Sequence, residues 1–226
     1  MLNTHQIKGL IFDMDGVLID SEPLHLMAYQ ELLKDFGVTF SEAENRPFLG
    51  RKDVELAEHL ISQHGLPLDA LQLVDRKEEF LARLFSTKLE PMPGVVKILQ
   101  KAQTISLPCA VASSATLPTI KNVTQTLDIA RYFQTLTSGD EVPHGKPAPD
   151  VYLLAAERIG VLPINCLVIE DSFNGVLAAK AAGMKCIAIP CPTTRHQDHS
   201  KADTILGTLE SLNLDDWCQP ASDNSE

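Results

Sequence analysis

The sequence predicts an α/β protein, a doubly wound parallel sheet core interrupted by an all-helical insertion, and three observations carry that expectation. An apolar run from Ile7 to Phe12 stops at Asp13-Met14-Asp15-Gly16, the pattern of a buried strand entering a tight turn. From Pro93 onward helical and strand patterns alternate, which predicts parallel strands joined by crossover helices and so a Rossmann-like core. Between the two, from about Ile19 to Glu90, only helical periodicity is found.

Taken in order, the insertion reads as helices over Leu24 to Phe36, Asp53 to His64 and Leu68 to Phe85, the first two stopped by Gly37 and Gly65. Apolar residues recur there at three- and four-residue intervals, and strand signals are lacking. The core resumes with a helix from Gly94 to about Gln103, opened by Pro93, and a short apolar strand at Cys109 to Ala112. A helix over Pro118 to Leu127 leads to a weaker strand at Thr135 to Ser138. Pro149-Asp150 opens the helix Val151 to Ile159, which Gly160 stops, and Cys166-Leu167-Val168-Ile169 is a buried strand running into Glu170-Asp171. A helix from Gly175 to Ala182, ended by Gly183, and a strand from Cys186 to Ile189 complete the alternation. The expected division is a core of residues 1–18 and 91–217, a helical cap of residues 19–90, and a polar tail, 218–226, expected to be disordered.

In open parallel α/β sheets, ligands bind outside the carboxyl ends of the strands, so polar residues at predicted strand ends are the candidates for chemistry. They are Asp13 and Asp15, then Ser113 and Ser114, then Lys146 in the run His144 to Asp150, then Glu170 and Asp171. Two hard carboxylates two positions apart suggest Mg²⁺, and a carboxylate held against a metal and a phosphate can act as a nucleophile. A calcium loop is excluded, because its fifth and sixth positions here are Val17 and Leu18. The same aspartates also suit a turn or a helix cap. Four carboxylates gathered without a cation would cost on the order of several kcal/mol, so the set itself implies metal. Phosphoryl transfer needs positive charge and donors around one phosphorus; Mg²⁺ and Lys146 would supply the charge, and Ser113 with nearby backbone N–H groups the donors. Taken singly, Lys146 reads as a solvated loop lysine and Ser113 as a structural hydroxyl.

With a net charge of −11, the chain has no basic surplus to neutralise nucleic acid or an anionic membrane. Nothing approaches the roughly 18 apolar residues of a membrane span, and Met1 to Gln6 does not resemble a signal peptide. Five cysteines without a CxxC pair read as buried or incidental thiols in a reducing, cytoplasmic setting. The cluster Arg195-His196-Gln197-Asp198-His199 reads as a solvated loop rather than a metal site.

The order acid, hydroxyl, lysine, acid, and the wording of Phe12 to Gly16, Gly145-Lys146-Pro147-x-Pro149-Asp150 and Glu170-Asp171-Ser172-x-Asn174-Gly175, resemble the haloacid dehalogenase superfamily. The likeness runs from Ile7 to about Leu212 and is similar to the branch of β-phosphoglucomutase and the small-sugar phosphatases, with a helical cap inserted after the first motif. It implies an aspartyl-phosphate on Asp13, Asp15 as general acid and then base, and Mg²⁺ held by Asp13, the Asp15 carbonyl and Asp171, with Glu170 a direct or water-mediated ligand. Asn174 is either an orienting residue or a helix cap. Within the cap the resemblance points to His25, equally readable as a surface helix residue, and Arg51 and Lys52 are candidates for the substrate's distal groups. Those two residues follow Gly50 at once, whereas the sugar mutases place their arginine a few residues later; the wording around Gly50 is closer to the pseudouridine monophosphate phosphatases.

The expected activity is Mg²⁺-dependent hydrolysis of sugar, polyol or nucleoside monophosphates by a monomer. The alternatives are an intramolecular phosphotransferase of the phosphoglucomutase kind and a non-catalytic phosphate-binding protein, which would gain little from keeping Asp13, Asp15, Lys146 and Asp171 together.

Overall fold

Short strands rich in Val, Ile, Leu, Ala and Cys, with helices packed over them, form the larger part of the chain. The computed structural model describes residues 6–49 and 53–218. Six strands, β1 (Gly9–Phe12), β2 (Cys109–Ser113), β3 (Thr135–Ser138), β4 (Cys166–Glu170), β5 (Lys185–Ala188) and β6 (Thr204–Ile205), make one sheet in the order β3-β2-β1-β4-β5-β6. All five pairings are parallel. Strand order therefore reverses at β1, the switch point at which doubly wound sheets open a crevice. Every residue of β1, β2 and β4 is buried, as central parallel strands covered on both faces must be.

The covering helices are α5 (Val95–Thr104), α6 (Leu117–Thr126), α7 (Asp150–Arg158) and α8 (Phe173–Ala181), with a short α9 (Asp215–Cys218) near the end of the described chain. On one face Ile11, Ala110, Ala112, Val168 and Cys186 pack against Val151, Tyr152, Ala155, Val176 and Ala179. Small residues on these strands and helices let the two layers approach closely. The first strand begins at Gly9, later than its apolar run, because the Ile7 N–H is spent on the Trp217 carbonyl at 3.2 Å and the Lys8 N–H on Asn165 at 2.8 Å. Strand β6, unannounced by any apolar run, pairs along β5 through Ile187 and Ala188.

The chain divides into two compact units, one of residues 1–20 and 90–226, the other Ser21–Leu89. The second unit holds α1 (Glu22–Lys34), α2 (Glu42–Asn45), α3 (Asp53–His64) and α4 (Ala70–Lys88), and no strand among its described residues. The helical spacing of Tyr29, Leu32 and Leu33 on α1 and of Leu56, Ala57 and Leu60 on α3 builds its core, completed by Phe40, Leu66 and Leu73. Asp69 starts α4 with a capping box: its carboxylate accepts the Gln72 N–H at 2.9 Å while the Gln72 amide oxygen accepts the Asp69 N–H at 3.1 Å. Lys77, fully buried on α4, is neutralised by Asp53 at 2.6 Å and Glu78 at 2.8 Å. The polar tail lies, from residue 219, outside the described residues.

Candidate functional site

Register decides which side chains meet. Phe12 stands opposite Val111 on β2 and Ile169 on β4, so the next residues, Asp13, Ala112 and Glu170, lie at one level of the sheet. Lys146 reaches that level from the loop before α7. Its Nζ donates to Asp13 Oδ1 at 2.6 Å, to Glu170 Oε1 at 2.8 Å and to the Ala112 carbonyl at 3.3 Å, with 8% of its side chain exposed. Residues 133 and 24 positions from Lys146 in the chain are thus tied by one ammonium group.

Glu170 is wholly buried and both its oxygens are occupied. Oε1 accepts from Lys146 and from the Tyr152 hydroxyl at 2.8 Å, and Oε2 accepts the Asp171 N–H and Ser172 N–H, each at 2.8 Å, and the Ser172 hydroxyl at 3.0 Å. The same Ser172 hydroxyl accepts the Gly175 N–H at 3.1 Å and caps α8. A side chain at Gly175 would overlap the Glu170 carboxylate, which is why the motif ends on glycine. The cap is therefore Ser172, and Asn174 is exposed in the first turn of α8.

Asp13 sits 8% exposed, and its N–H donates to the Ile169 carbonyl at 3.0 Å. The turn that follows closes on one acceptor, the Met14 carbonyl, which takes the N–H groups of Val17, Leu18 and Ile19 at 3.3, 2.8 and 3.2 Å. Gly16 adopts φ +76° there, directly beside the Asp171 carboxylate, where no Cβ fits. Asp15 lies in this turn, half-buried, bridged to Ile19. Ser113, 1% exposed at the end of β2, accepts the Ala115 N–H at 3.0 Å, whereas Ser114 is exposed. The Lys146–Pro147 peptide is cis. His25 lies half-buried on α1, and Arg51 and Lys52 are outside the described residues.

Asp13, Glu170 and Asp171 can each offer an oxygen within 4.8 Å of the others. Three buried carboxylates share one lysine, and burial is the largest influence on their acidities. Burial pushes the Asp13 carboxyl well above the usual range; Lys146 acts against this, while Glu170 and Asp171 add to it. Asp171 is pushed up to about 6, first by burial and then by Glu170. Burial acts on Glu170 too, yet Lys146 and the Ser172 N–H hold it below its usual value. For Lys146 the cost of burial is outweighed by Asp13 and Glu170, which raise its pKa and keep it charged. Hard oxygen donors with unmet negative charge fit a divalent cation. Asp13 and Asp171 could hold it, while both Glu170 oxygens are already hydrogen-bonded.

Several contributors were not legible as site residues. Tyr152 reads as one more apolar position of α7, yet it bonds Glu170 and lies with Lys146 Nζ 4.8 Å above its ring. In the loop after β5, whose run Arg195 to His199 is expected to be solvated, Cys191, Thr194 and His199 are buried and bond to Asp171. The available signal was position: this loop leaves the sheet beside the end of β4, on the rim that carries Glu170 and Asp171.

A Rossmann-type parallel sheet with an acid-lysine-acid cluster at its switch point gives the protein the architecture of an α/β enzyme. The chain belongs to the haloacid dehalogenase-like hydrolases, whose family pattern it matches over residues 10–189. It is 36% identical over 190 residues to a phosphorylated carbohydrates phosphatase of Thermotoga maritima, covering 80% of this chain and 84% of that one. It is 34% identical over 181 residues to the fructose-1-phosphate phosphatase YqaB of Escherichia coli, covering 80% of this chain and 95% of that one. The crystal structure of CbbY from Rhodobacter sphaeroides in complex with phosphate is similar at a TM-score of 0.77 and 28% identity, covering 92% of this chain and 96% of that one. Among the described residues no helix is long and apolar enough to cross a membrane.

Proposed function

We propose that the protein is a Mg²⁺-dependent phosphatase of small phosphorylated metabolites, with sugar, polyol and nucleoside monophosphates as the substrate class. The observation that carries this reading is the Lys146 ammonium bound at once to Asp13 and Glu170 at the sheet's switch point. It leaves a nucleophilic carboxylate beside a fixed positive charge at the place where such sheets bind ligands. The relatives named as sugar phosphate phosphatases support the substrate class.

Asp13 attacks the phosphorus and carries the phosphoryl group, while Asp15 protonates the departing oxygen and then takes a proton from the attacking water. Lys146 and Ser113, with Ser114 beside it, hold the phosphoryl oxygens as charge develops on them. Asp13, Asp171 and the Asp15 carbonyl would hold Mg²⁺, with Glu170 anchoring Lys146 and the 171–172 turn; the ion would neutralise phosphate charge and the mutual repulsion of the carboxylates. Residues Ser21–Leu89, inserted directly after the Asp15 turn, act as a cap that selects the substrate, with His25, Arg51 and Lys52 as its candidate contacts. The five free cysteines, four of them buried, support a reducing, cytoplasmic setting.

The test is inorganic phosphate release from a panel of sugar, polyol and nucleoside monophosphates with Mg²⁺, with chelator, and by Asp13→Asn. Turnover with Mg²⁺ alone, lost about 10³-fold or more in the other two arms, is expected. Comparable release in all three would overturn the assignment. Rapid conversion of β-glucose 1-phosphate to glucose 6-phosphate without phosphate release, primed by glucose 1,6-bisphosphate, would replace hydrolysis by intramolecular transfer.

A further inference from the structure

One segment grips the 171–173 turn without belonging to any recognised motif of the site. After β5 the chain folds over itself: the Thr194 N–H and Arg195 N–H bond to the Cys191 carbonyl at 3.1 and 2.9 Å, and the Gln197 N–H bonds to the Thr194 carbonyl at 2.8 Å. From that compact loop four side chains reach the turn. The Thr194 hydroxyl donates to Asp171 Oδ2 at 3.1 Å and the Cys191 thiol donates to the same oxygen at 3.2 Å. His199 bonds through Nε2 to the Asp171 carbonyl at 2.7 Å, and because a carbonyl only accepts, that nitrogen carries the proton. The Gln197 amide oxygen accepts the Phe173 N–H at 2.7 Å.

Proton bookkeeping shows that these contacts are directed. Thr194 has one hydroxyl proton, which goes to Asp171 Oδ2 because an ionised carboxylate only accepts, while its oxygen accepts the Cys191 N–H at 3.0 Å. Cys191 Sγ lies 2.9 Å from the Thr193 hydroxyl, so the thiol can accept there while donating to the carboxylate. Cys191, Thr194 and His199 are 6%, 9% and 5% exposed, which keeps water from competing for Asp171 Oδ2 and the Asp171 carbonyl. Both carboxylate contacts fall on one oxygen, and the backbone contact stops the residue from turning about its own peptide.

We propose that Cys191, Thr194 and His199 are positioning residues that preset the Asp171 carboxylate for a divalent cation, leaving Oδ1 as the oxygen offered to the metal. This rests on the reading of the acidic cluster as a metal site. A carboxylate fixed before binding loses no rotamer freedom when the ion arrives, and hydrogen bonds to the second oxygen hold its plane. The loop thereby sets metal affinity rather than the rate of phosphoryl transfer, because none of its side chains bonds to Asp13 or Lys146.

The experiment titrates Mg²⁺ calorimetrically into the full chain, freed of metal, for wild type, Thr194→Val, Thr194→Ser and Cys191→Ala, and measures phosphate release against Mg²⁺ concentration for each. Thr194→Val removes the donor at nearly constant shape, and about a tenfold rise in the Mg²⁺ dissociation constant is expected, with kcat at saturating Mg²⁺ within about threefold of wild type. Thr194→Ser restores the hydroxyl and should bind like wild type. Cys191→Ala removes the weaker donor and leaves the Thr194 bond to Asp171, so a smaller rise is expected, and it keeps the test open should Thr194→Val fold poorly. Unchanged Mg²⁺ affinity in the folded variants, or a loss in kcat with affinity intact, would overturn the proposal. Wild type that binds Mg²⁺ but hydrolyses none of the panel would refute the phosphatase reading alone, since the affinity comparison needs no substrate.

Discussion

At the scale of single residues the site is governed by Glu170, a charge that is fully buried and fully satisfied. Removing one of its donors leaves a buried ion short of a partner, which costs more than the average hydrogen bond contributes. Tyr152→Phe is therefore expected to lower stability by about 1–3 kcal/mol, read as a fall in the urea midpoint at constant m-value. An unchanged midpoint would mean that Lys146 and the 171–172 turn suffice without the phenol. Gly175→Ala should be far worse, because its methyl occupies the volume of the Glu170 carboxylate; Gly183→Ala has open space but a φ of +73°, and should cost only about 1 kcal/mol. Comparing the two by thermal melting separates steric conflict from backbone strain. Asp13, Glu170 and Asp171 could be recognised from the sequence because each follows an apolar strand pattern, and Lys146 because of the run Gly145 to Asp150 around it. Tyr152, Cys191, Thr194 and His199 could not, since their roles depend on which strands become neighbours.

Among the elements, the boundaries that local chemistry dictates were the legible ones. The glycines at 37, 65 and 160 follow their helices in left-handed conformation, and Asp53–His64 forms a helix with the bounds its pattern gave. The start of α4 differs, falling at Ala70 rather than Leu68, because the Asp69 capping box outcompetes the apolar pattern that precedes it. That cap should be measurable: Asp69→Ala is expected to destabilise the helical unit by about 1 kcal/mol, whereas Leu73→Ala, wholly buried one turn later, should cost about 2–5 kcal/mol. Amide hydrogen exchange along α4 is the suitable measurement, and equal losses would show that packing does not dominate the unit. Lys77 is the residue whose place in this helix no pattern announced. A lysine on the apolar face is tolerated because Asp53 and Glu78 meet it there.

For the whole molecule the unpaid negative charge of the cluster becomes a dependence on pH. Asp171 rises from 3.8 to about 6 and Asp13 moves the same way, so the folded chain without metal binds protons that the unfolded chain has already released. The stability that the protonated Asp171 carboxyl provides is complete below about pH 4 and is lost as pH rises through about 6, and Asp13 acts in the same sense. Glu170 acts in the opposite sense, but only below its ordinary value of 4.5. The chelated protein is thus expected to melt several degrees lower at about pH 7 than at about pH 5, and added Mg²⁺ to raise the melting temperature more at the higher pH. A melting temperature that climbs over that interval in chelator would contradict the charge balance described here. Ile19 is bridged to Pro91, and the Met92 N–H bonds to the Leu18 carbonyl at 2.9 Å, so the chain leaves the sheet and returns to it through one clasped doorway. The sheet registers only the doorway and is indifferent to how many residues pass beyond it. The helical segment is in that sense a cassette: its length and its surface can change while the strands beyond the doorway keep their register.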